Sequence, residues 1–173
     1  MKNIYFEMHK VDKVNVELKF YVNGSNILEF VQNGNKHSST WNFESLITWF
    51  NLNLKNIMLE DPFPYEVEGN TASELDNNSA DALADNASNE EILEFHNRIH
   101  EWREKHSWLN AADGAILPDV FFRRVGSKIE ISWWTSDMYD GVEFFDDENC
   151  FYCELKEFEE AIKNFVREYQ KLY

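Results

Sequence analysis

The chain has 173 residues, of which 43% are hydrophobic and 16% are aromatic. A chain of this length can bury a substantial core in one domain, and its composition excludes wholesale disorder and a collagen-like repeat. Its 32 acidic residues outnumber its 16 lysines and arginines, and the net charge of −16 opposes direct binding to nucleic acid or anionic lipid, since both need a surplus of positive charge.

A β-hairpin is predicted near the start of the chain. Residues Val14–Val22 alternate apolar and polar side chains, Asn23-Gly24-Ser25 supplies a turn, and Ile27–Val31 predicts the returning strand. This three-residue loop would place Phe20 opposite Leu28.

The hairpin leads into a predicted helix and then into an acidic loop. After Asn42, a plausible N-cap, these apolar residues recur at helical spacing: Phe43, Leu46, Ile47, Phe50 and Leu54. Residues Thr71–Ser88 contain no aromatic residue and only two leucines, so they cannot bury enough apolar surface to offset the entropy of ordering. We therefore expect a mobile acidic loop at about 60–88, with no more than one short helical turn, between two halves of a single domain, 1–173.

The second half begins with the clearest helix signal in the chain. Ser88-Asn89-Glu90-Glu91 forms a capping box, and Gly114 can end the helix. The apolar stripe between them consists of Phe95, Ile99, Trp102, His106, Leu109 and Ala112.

A second β-hairpin is predicted after this helix. Its strands, Asp119–Val125 and Lys128–Trp134, flank Gly126-Ser127, a two-residue loop typical of a β-hairpin. The register set by this loop has three notable cross-strand pairs: Phe122–Ile131, Val120–Trp133 and Arg123–Glu130.

One or two further strands and a last helix complete the predicted fold. Strand is predicted within Gly141–Glu154, and one helical face follows with Leu155, Phe158, Ile162, Phe165, Tyr169 and Leu172. The order of elements predicts an α+β domain, in which an antiparallel sheet built from two hairpin-plus-helix halves packs against three main helices.

The negative charge is concentrated in two windows. Between Lys55 and Arg98 there are 11 acidic residues and no lysine or arginine, and between Lys128 and Lys156 there are eight acidic residues. Solubility alone explains an acidic surface, but confinement to two windows favours an electrostatic interface with a basic protein. We predict that these acidic residues bind the partner: Glu66, Glu68, Asp76, Asp81, Asp85, Asp137, Asp140, Asp146, Asp147 and Glu148.

Two aromatic residues are predicted to belong to the same interface. Trp133 and Trp134 are adjacent on a strand, so one faces the core and the other can be exposed. We assign Trp134 to the partner-binding surface, with Tyr139 of the second window as its neighbour. Tryptophan and tyrosine are over-represented at binding hot spots, and acidic residues beside them select a basic partner.

No pattern of histidine, cysteine or acidic residues predicts a catalytic residue, a metal or another cofactor. His96 and His100 are four residues apart on a helix, but no third ligand has a diagnostic spacing, so two exposed histidines are the better interpretation. His106 lies within the apolar stripe, which is typical of a core histidine. Cys150 and Cys153 form a lone Cys-x-x-Cys motif among acidic residues, which favours packed thiols over redox chemistry. The acids of 137–148 lack the order of a calcium-binding EF-hand loop.

The two cysteines are too few for a disulfide framework, which favours a reducing cytosol. The chain contains no run of 18 apolar residues, and its first seven residues lack the apolar core of a secretory signal. We therefore expect a cytoplasmic protein without a membrane span.

Residues 106–133 resemble part of a non-catalytic domain that precedes the catalytic part of some phage-repressor-type metallopeptidases. The resemblance rests on His106, Leu109, Ala111-Ala112, Gly114, Pro118-Asp119, Arg123-Arg124 and Glu130-Ile131-Ser132-Trp133. It covers 28 residues, and the His-Glu-x-x-His helix of the protease is missing, so the resemblance implies a stand-alone sensing or binding domain without peptidase activity. In its small size, acidity and α+β character, the chain is also similar to immunity proteins of bacterial toxin systems.

We therefore predict a non-enzymatic acidic protein-binding module that neutralises or inhibits a basic partner, such as a toxin or a nuclease. Three alternatives stay open at this point. The chain could be a phage-encoded mimic of DNA charge that blocks a defence nuclease, a stand-alone sensing domain, or an enzyme or metal protein that uses its histidines or cysteines.

Overall fold

The computed structural model describes residues 2–135, 138–144 and 149–173. Within these ranges, antiparallel sheets and four α-helices, three of them long, confirm the predicted α+β class. The strands are β1 (Ile4–Lys10), β2 (Val16–Val22), β3 (Ser25–Asn26), β4 (Glu29–Gln32), β5 (Asn35–Trp41), β6 (Asp119–Val125), β7 (Lys128–Trp134), β8 (Val142–Phe144) and β9 (Cys150–Glu154). The helices are α1 (Glu44–Ile57), α2 (Ala72–Asn77), α3 (Asn89–His106) and α4 (Leu155–Gln170), with short 3-10 helices at Ser79–Ala82 and Leu109–Ala111.

The first sheet differs from the predicted hairpin. Its strand order is β1-β2-β5-β4-β8, and β3 adds two residues beside β2. The predicted pairing of Phe20 with Leu28 is wrong, because the turn has two residues rather than three: Val22 pairs with Ser25 and Tyr21 pairs with Asn26, where β3 ends. On the other edge of β2, Phe20 lies opposite Phe6 of β1. The two rings stack with centroids 4.2 Å apart, and Phe6 also stacks on Phe165 of α4. Strand β5 pairs with Val16–Leu18 of β2, and β4 pairs with β5 and β8 instead of returning along β2.

The second sheet, β6-β7-β9, has the predicted register. Each cross-strand pair expected from the two-residue loop is present: Phe122–Ile131, Val120–Trp133 and Arg123–Glu130. Gly126 has a φ of 59°, the left-handed conformation that such a tight turn requires of its first residue. Strand β9 then pairs with β7 and continues directly into α4.

The three long helices begin close to their predicted positions. The Asn42 side chain accepts a hydrogen bond from the Glu44 amide at 3.0 Å, and the capping box of Ser88 and Glu91 is present at the start of α3. Helix α3 ends at His106, so the prediction that Gly114 ends it is wrong. Ser107 adopts an extended backbone and forms a bridge to Phe121 of β6, which takes the chain out of the helix.

One aromatic core contains residues from both halves of the chain. Phe122 of β6 lies at its centre, with ring centroids 5.5 Å from Phe50 and 5.4 Å from Trp108. Phe20 of β2 and Phe158 of α4 also contact the Phe122 ring. All five side chains are fully buried. The single domain predicted for 1–173 stays a prediction, and this shared core is consistent with it.

The segment 60–88, expected to be a loop with no more than one helical turn, contains α2 and a turn of 3-10 helix. Thr71 caps α2 with a capping box that includes Glu74, and Thr71, Ala72 and Ser73 are buried. The mobility of this segment stays a prediction. Its helix α2 is held by side chains of β7 and α3.

Candidate functional site

Four of the predicted partner-binding acids lie on the surface of segment 60–94, which we call the acidic segment. Their side chains are exposed and form no ion pair with a described residue: Glu66, Glu68, Asp81 and Asp85. Asp76, the fifth predicted residue of this window, is placed differently. Its side chain is only 12% exposed and is ion-paired with Arg103, so it does not belong to the exposed acidic surface.

The structure covers only part of the second acidic window. Four predicted residues lie outside the described residues: Asp137, Asp146, Asp147 and Glu148. Asp140 is exposed in the turn before β8. Trp133 is 2% exposed and Trp134 is 36% exposed, which confirms that the adjacent tryptophans face opposite sides of the strand. Tyr139 is half-buried, and its hydroxyl donates a hydrogen bond to the Leu117 carbonyl at 2.9 Å.

A buried glutamate on β7 holds the start of α2. The carboxylate of Glu130, which is 0% exposed, accepts hydrogen bonds from the Ala72 amide at 2.5 Å and the Ser132 hydroxyl at 2.9 Å. Arg123 donates to its other oxygen from Nε at 2.9 Å and Nη2 at 2.7 Å, and Nη2 also donates to the Asn70 carbonyl. The acidic segment is therefore bound to the second sheet by a buried ion pair.

A second buried ionic cluster holds the other end of α2. Arg103 of α3 donates to the carboxylate of Asp76 on α2 and, at 2.8 Å, to the carboxylate of Asp119 at the start of β6. The Ser107 hydroxyl donates to the second oxygen of Asp119. One guanidinium therefore joins three elements, and two carboxylates share its charge.

Burial dominates the ionisation of these two carboxyl groups. Removal from water raises the pKa of Asp76 from 3.8 to about 6, although Arg103 lowers it, and the nearby Asp119 raises it further. Burial also raises the pKa of Asp119, against the opposing effects of Arg103 and Ser107. Oδ1 of Asp76 is buried and has no hydrogen-bond partner among the described residues, which is consistent with a costly charge.

The raised pKa of Asp76 makes stability depend on pH. Because the folded protein binds this proton more tightly than the unfolded chain, the free energy of unfolding should fall as pH rises from 5 to 7.5, by about 1 kcal/mol from this group. Urea denaturation followed by tryptophan fluorescence can measure this change, at pH values above the pI of 4.6. Asp76→Asn should remove this part of the slope, whereas Asp81→Asn should keep it. Equal slopes in wild type and Asp76→Asn would contradict the assignment.

His106 is a core histidine, as predicted, and it contacts the start of the acidic segment. Its side chain is fully buried, with Nδ1 2.8 Å from the Phe122 carbonyl and Nε2 3.2 Å from the Asp61 carboxylate. Trp102 Nε1 donates to the Asp61 carbonyl at 3.4 Å. The acidic segment is therefore attached near residue 61 as well as at α2.

The remaining histidine and cysteine candidates do not converge. His96 and His100 are exposed on α3, and no three histidine, cysteine or acidic side chains within the described ranges form a group that could hold a metal ion. Burial, followed by the charge of Glu130, raises the pKa of Cys150 to about 11. Burial likewise raises the pKa of Cys153 to about 12. Both thiols are therefore protonated at neutral pH and are poor nucleophiles.

A pocket of about 280 Å³ is lined mainly by the acidic segment itself, and it opens between residues 82–87 and the first turns of α3. Tyr65, Leu83 and Phe95 line it, and the Tyr65 and Phe95 ring centroids are 4.9 Å apart. Our sequence reasoning missed this pocket. The available signal was the presence of two large apolar side chains, Tyr65 and Leu83, in a strongly acidic stretch.

No protein-family model, curated protein or solved structure matches this chain. The resemblance of residues 106–133 to a metallopeptidase-associated domain therefore stays a prediction. Among the described residues, none of the helices has the length and apolar character needed to cross a membrane.

Proposed function

We propose that this protein is a non-enzymatic acidic binding module that inhibits a basic protein, such as a toxin or a nuclease. One observation carries the proposal: four exposed carboxylates, which form no ion pair within the described part of the chain, lie on a segment whose backbone is hydrogen-bonded to a buried ion pair of the second sheet. These carboxylates belong to Glu66, Glu68, Asp81 and Asp85. The cytoplasmic location expected from the cysteine content is part of the same proposal.

The exposed negative charge would affect both how fast a partner associates and which partners bind. The window between Lys55 and Arg98 contains 11 acidic residues and no lysine or arginine. Cations of α3 pair with Asp61, Asp76 and Glu94, but the four exposed carboxylates have no such pair among the described residues, so they would attract a cationic surface and repel an anionic one. Ion pairs at an exposed rim contribute little affinity by themselves, because water and salt screen them. The proposal therefore predicts a complex whose association rate depends strongly on ionic strength.

Glu130 and Arg103 contribute to the proposed binding because they hold the acidic segment in one conformation. A segment with few apolar side chains would lose conformational entropy if it became ordered only on binding. Here hydrogen bonds to Ala72 and Asp76 connect α2 to the sheet and to α3. Because these contacts order the segment before a partner binds, less conformational entropy is lost on binding.

The test uses two variants with the same net charge. The first replaces Glu66, Glu68, Asp81 and Asp85 with their amides, and the second does the same to four exposed acids elsewhere: Glu101, Glu154, Glu160 and Glu168. The probe is a fluorescent 15-residue peptide rich in lysine and arginine, and affinity is measured by anisotropy at about 50 and 300 mM NaCl. We expect the first variant to lose about tenfold in affinity at low salt and the second to lose much less. Equal losses would show a net-charge effect and contradict a specific surface.

Inhibition needs a separate measurement. Wild type and the first variant serve as bait at low salt, and any captured basic protein is assayed for its own activity with each of them added. We expect wild type to reduce that activity and the variant to fail. Capture by wild type without loss of activity would contradict the inhibitory part of the proposal.

A further inference from the structure

We infer that the pocket between residues 82–87 and α3 receives an apolar side chain carried by a lysine- or arginine-rich segment of the partner. This inference rests on the proposed function and deepens it, because it names the chemistry of the partner's contacting segment. The exposed carboxylates explain attraction but supply no desolvated contact. A stable interface combines a buried apolar centre with a polar rim.

The lining of the pocket suits an apolar side chain. Tyr65, Leu83 and Phe95 supply aromatic and aliphatic surface, and Phe95 is only 5% exposed, so the floor of the pocket belongs to the folded body. Small side chains leave the space open at three positions: Ala82, Ala84 and Ala87. Its volume of about 280 Å³ lies near the lower limit for small-molecule pockets, which favours one side chain over a larger ligand.

The negative charge at the rim of the pocket favours positively charged residues on either side of the partner's apolar side chain. Glu91 and Glu94 line the pocket on α3. Hydrogen bonds from the Ser88 amide and hydroxyl lower the pKa of Glu91 below its ordinary value. Arg98 also lines the pocket and pairs with Glu94 at 2.8 Å. Two glutamates and one arginine therefore line the pocket, so negative charge exceeds positive charge around it, and the exposed Asp81 and Asp85 adjoin lining residues 82–84 in the sequence. Lysine or arginine side chains flanking the apolar residue would complement this rim.

The test compares two fluorescent 11-residue lysine-rich peptides that differ only at the central residue, which is phenylalanine in one and serine in the other. We expect wild type to bind the phenylalanine peptide about tenfold more tightly, since burial of an aromatic side chain supplies that order of preference. Ala84→Leu should fill the pocket and remove the preference while leaving affinity for the serine peptide unchanged. Ala80→Leu, on an exposed alanine that does not line the pocket, is the matched control and should keep the preference.

The outcomes separate this inference from the proposed function. If both peptides bind wild type equally and with strong salt dependence, the acidic surface stands and the apolar pocket is wrong. If neither peptide binds, the proposed function itself fails. A preference that survives in Ala84→Leu would place the apolar contact elsewhere and overturn the inference. Circular dichroism and urea denaturation of the two alanine variants establish that both remain folded.

Discussion

Replacement of Glu130 with alanine is expected to lower the free energy of unfolding by about 3–5 kcal/mol, the usual cost of removing one partner from a buried ion pair. Arg123 is 13% exposed and would keep its charge without the carboxylate that it contacts through two nitrogens. The Ala72 amide and the Ser132 hydroxyl would also lose their acceptor. Denaturation by urea at pH 7.5 measures the effect.

A local measurement distinguishes this explanation from general loss of packing. Hydrogen exchange of the Ala72 and Ser73 amides should accelerate more in Glu130→Ala than exchange of the amides of β6, because the Ala72 amide donates to Glu130 and the Ser73 amide donates to Ser132, which Glu130 holds. Uniform acceleration throughout the chain would contradict a specific attachment of α2.

Two further variants test whether the loss of stability in Glu130→Ala comes from leaving the buried charge of Arg123 without its partner. Lys128 pairs with Glu154 at 3.9 Å on the neighbouring strand, but both side chains are at least half exposed, so Lys128→Met should cost less than about 1 kcal/mol. The double change Glu130→Met with Arg123→Met removes both buried charges and should cost less than Glu130→Ala alone. A double variant that is much less stable would show that the methionines do not fit.

The parts of the fold that the sequence predicted correctly depend on local signals. The capping box at Ser88 and the two-residue turn at Gly126 specify their own geometry, so α3 and the β6–β7 register follow from neighbouring residues. The pairing of β2 with β1 and β5 has no equally specific turn signal. Phe6 stacks on Phe20 of the next strand and on Phe165 of α4, and this last residue is far away in the sequence.

The sequence predicts the negative charge of the candidate site, but it does not predict the buried ion pairs that hold α2 in place. Composition identified the exposed carboxylates, and it also suggested that residues 71–88 have too little apolar surface to order. Apolar surface is only one source of order, because buried hydrogen bonds and ion pairs can also hold a segment in place. In the structure, α2 is attached by a carboxylate on β7 and by a guanidinium on α3, at Glu130 and Arg103. The hairpin register did predict the pairing of Arg123 with Glu130, but not that Glu130 is fully buried or that it binds Ala72.

Replacement of Arg103 with methionine should produce a loss of stability that depends on pH. Without the guanidinium, the carboxylates of Asp76 and Asp119 would lie in a mostly buried site with no cation to compensate them. At pH 7.5 the free energy of unfolding should fall by about 3–5 kcal/mol. Since Arg103 lowers the pKa of both carboxyl groups, its removal raises both values further above those of the unfolded chain. Protonation at pH 5 then relieves part of the cost, so the deficit relative to wild type should shrink as pH falls.

Two variants complete the test of this cluster. Arg103→Lys keeps the charge but lacks the planar fork that reaches Asp76 and Asp119 together, so its deficit at pH 7.5 should be intermediate. Arg98→Met removes an arginine from the same helix whose pair with Glu94 is more than half exposed, and it should cost less than about 1 kcal/mol at either pH. A deficit in Arg103→Met that is the same at pH 5 and pH 7.5 would mean that the variant loses the packing of Arg103 against Phe121 rather than the compensation of two buried carboxylates.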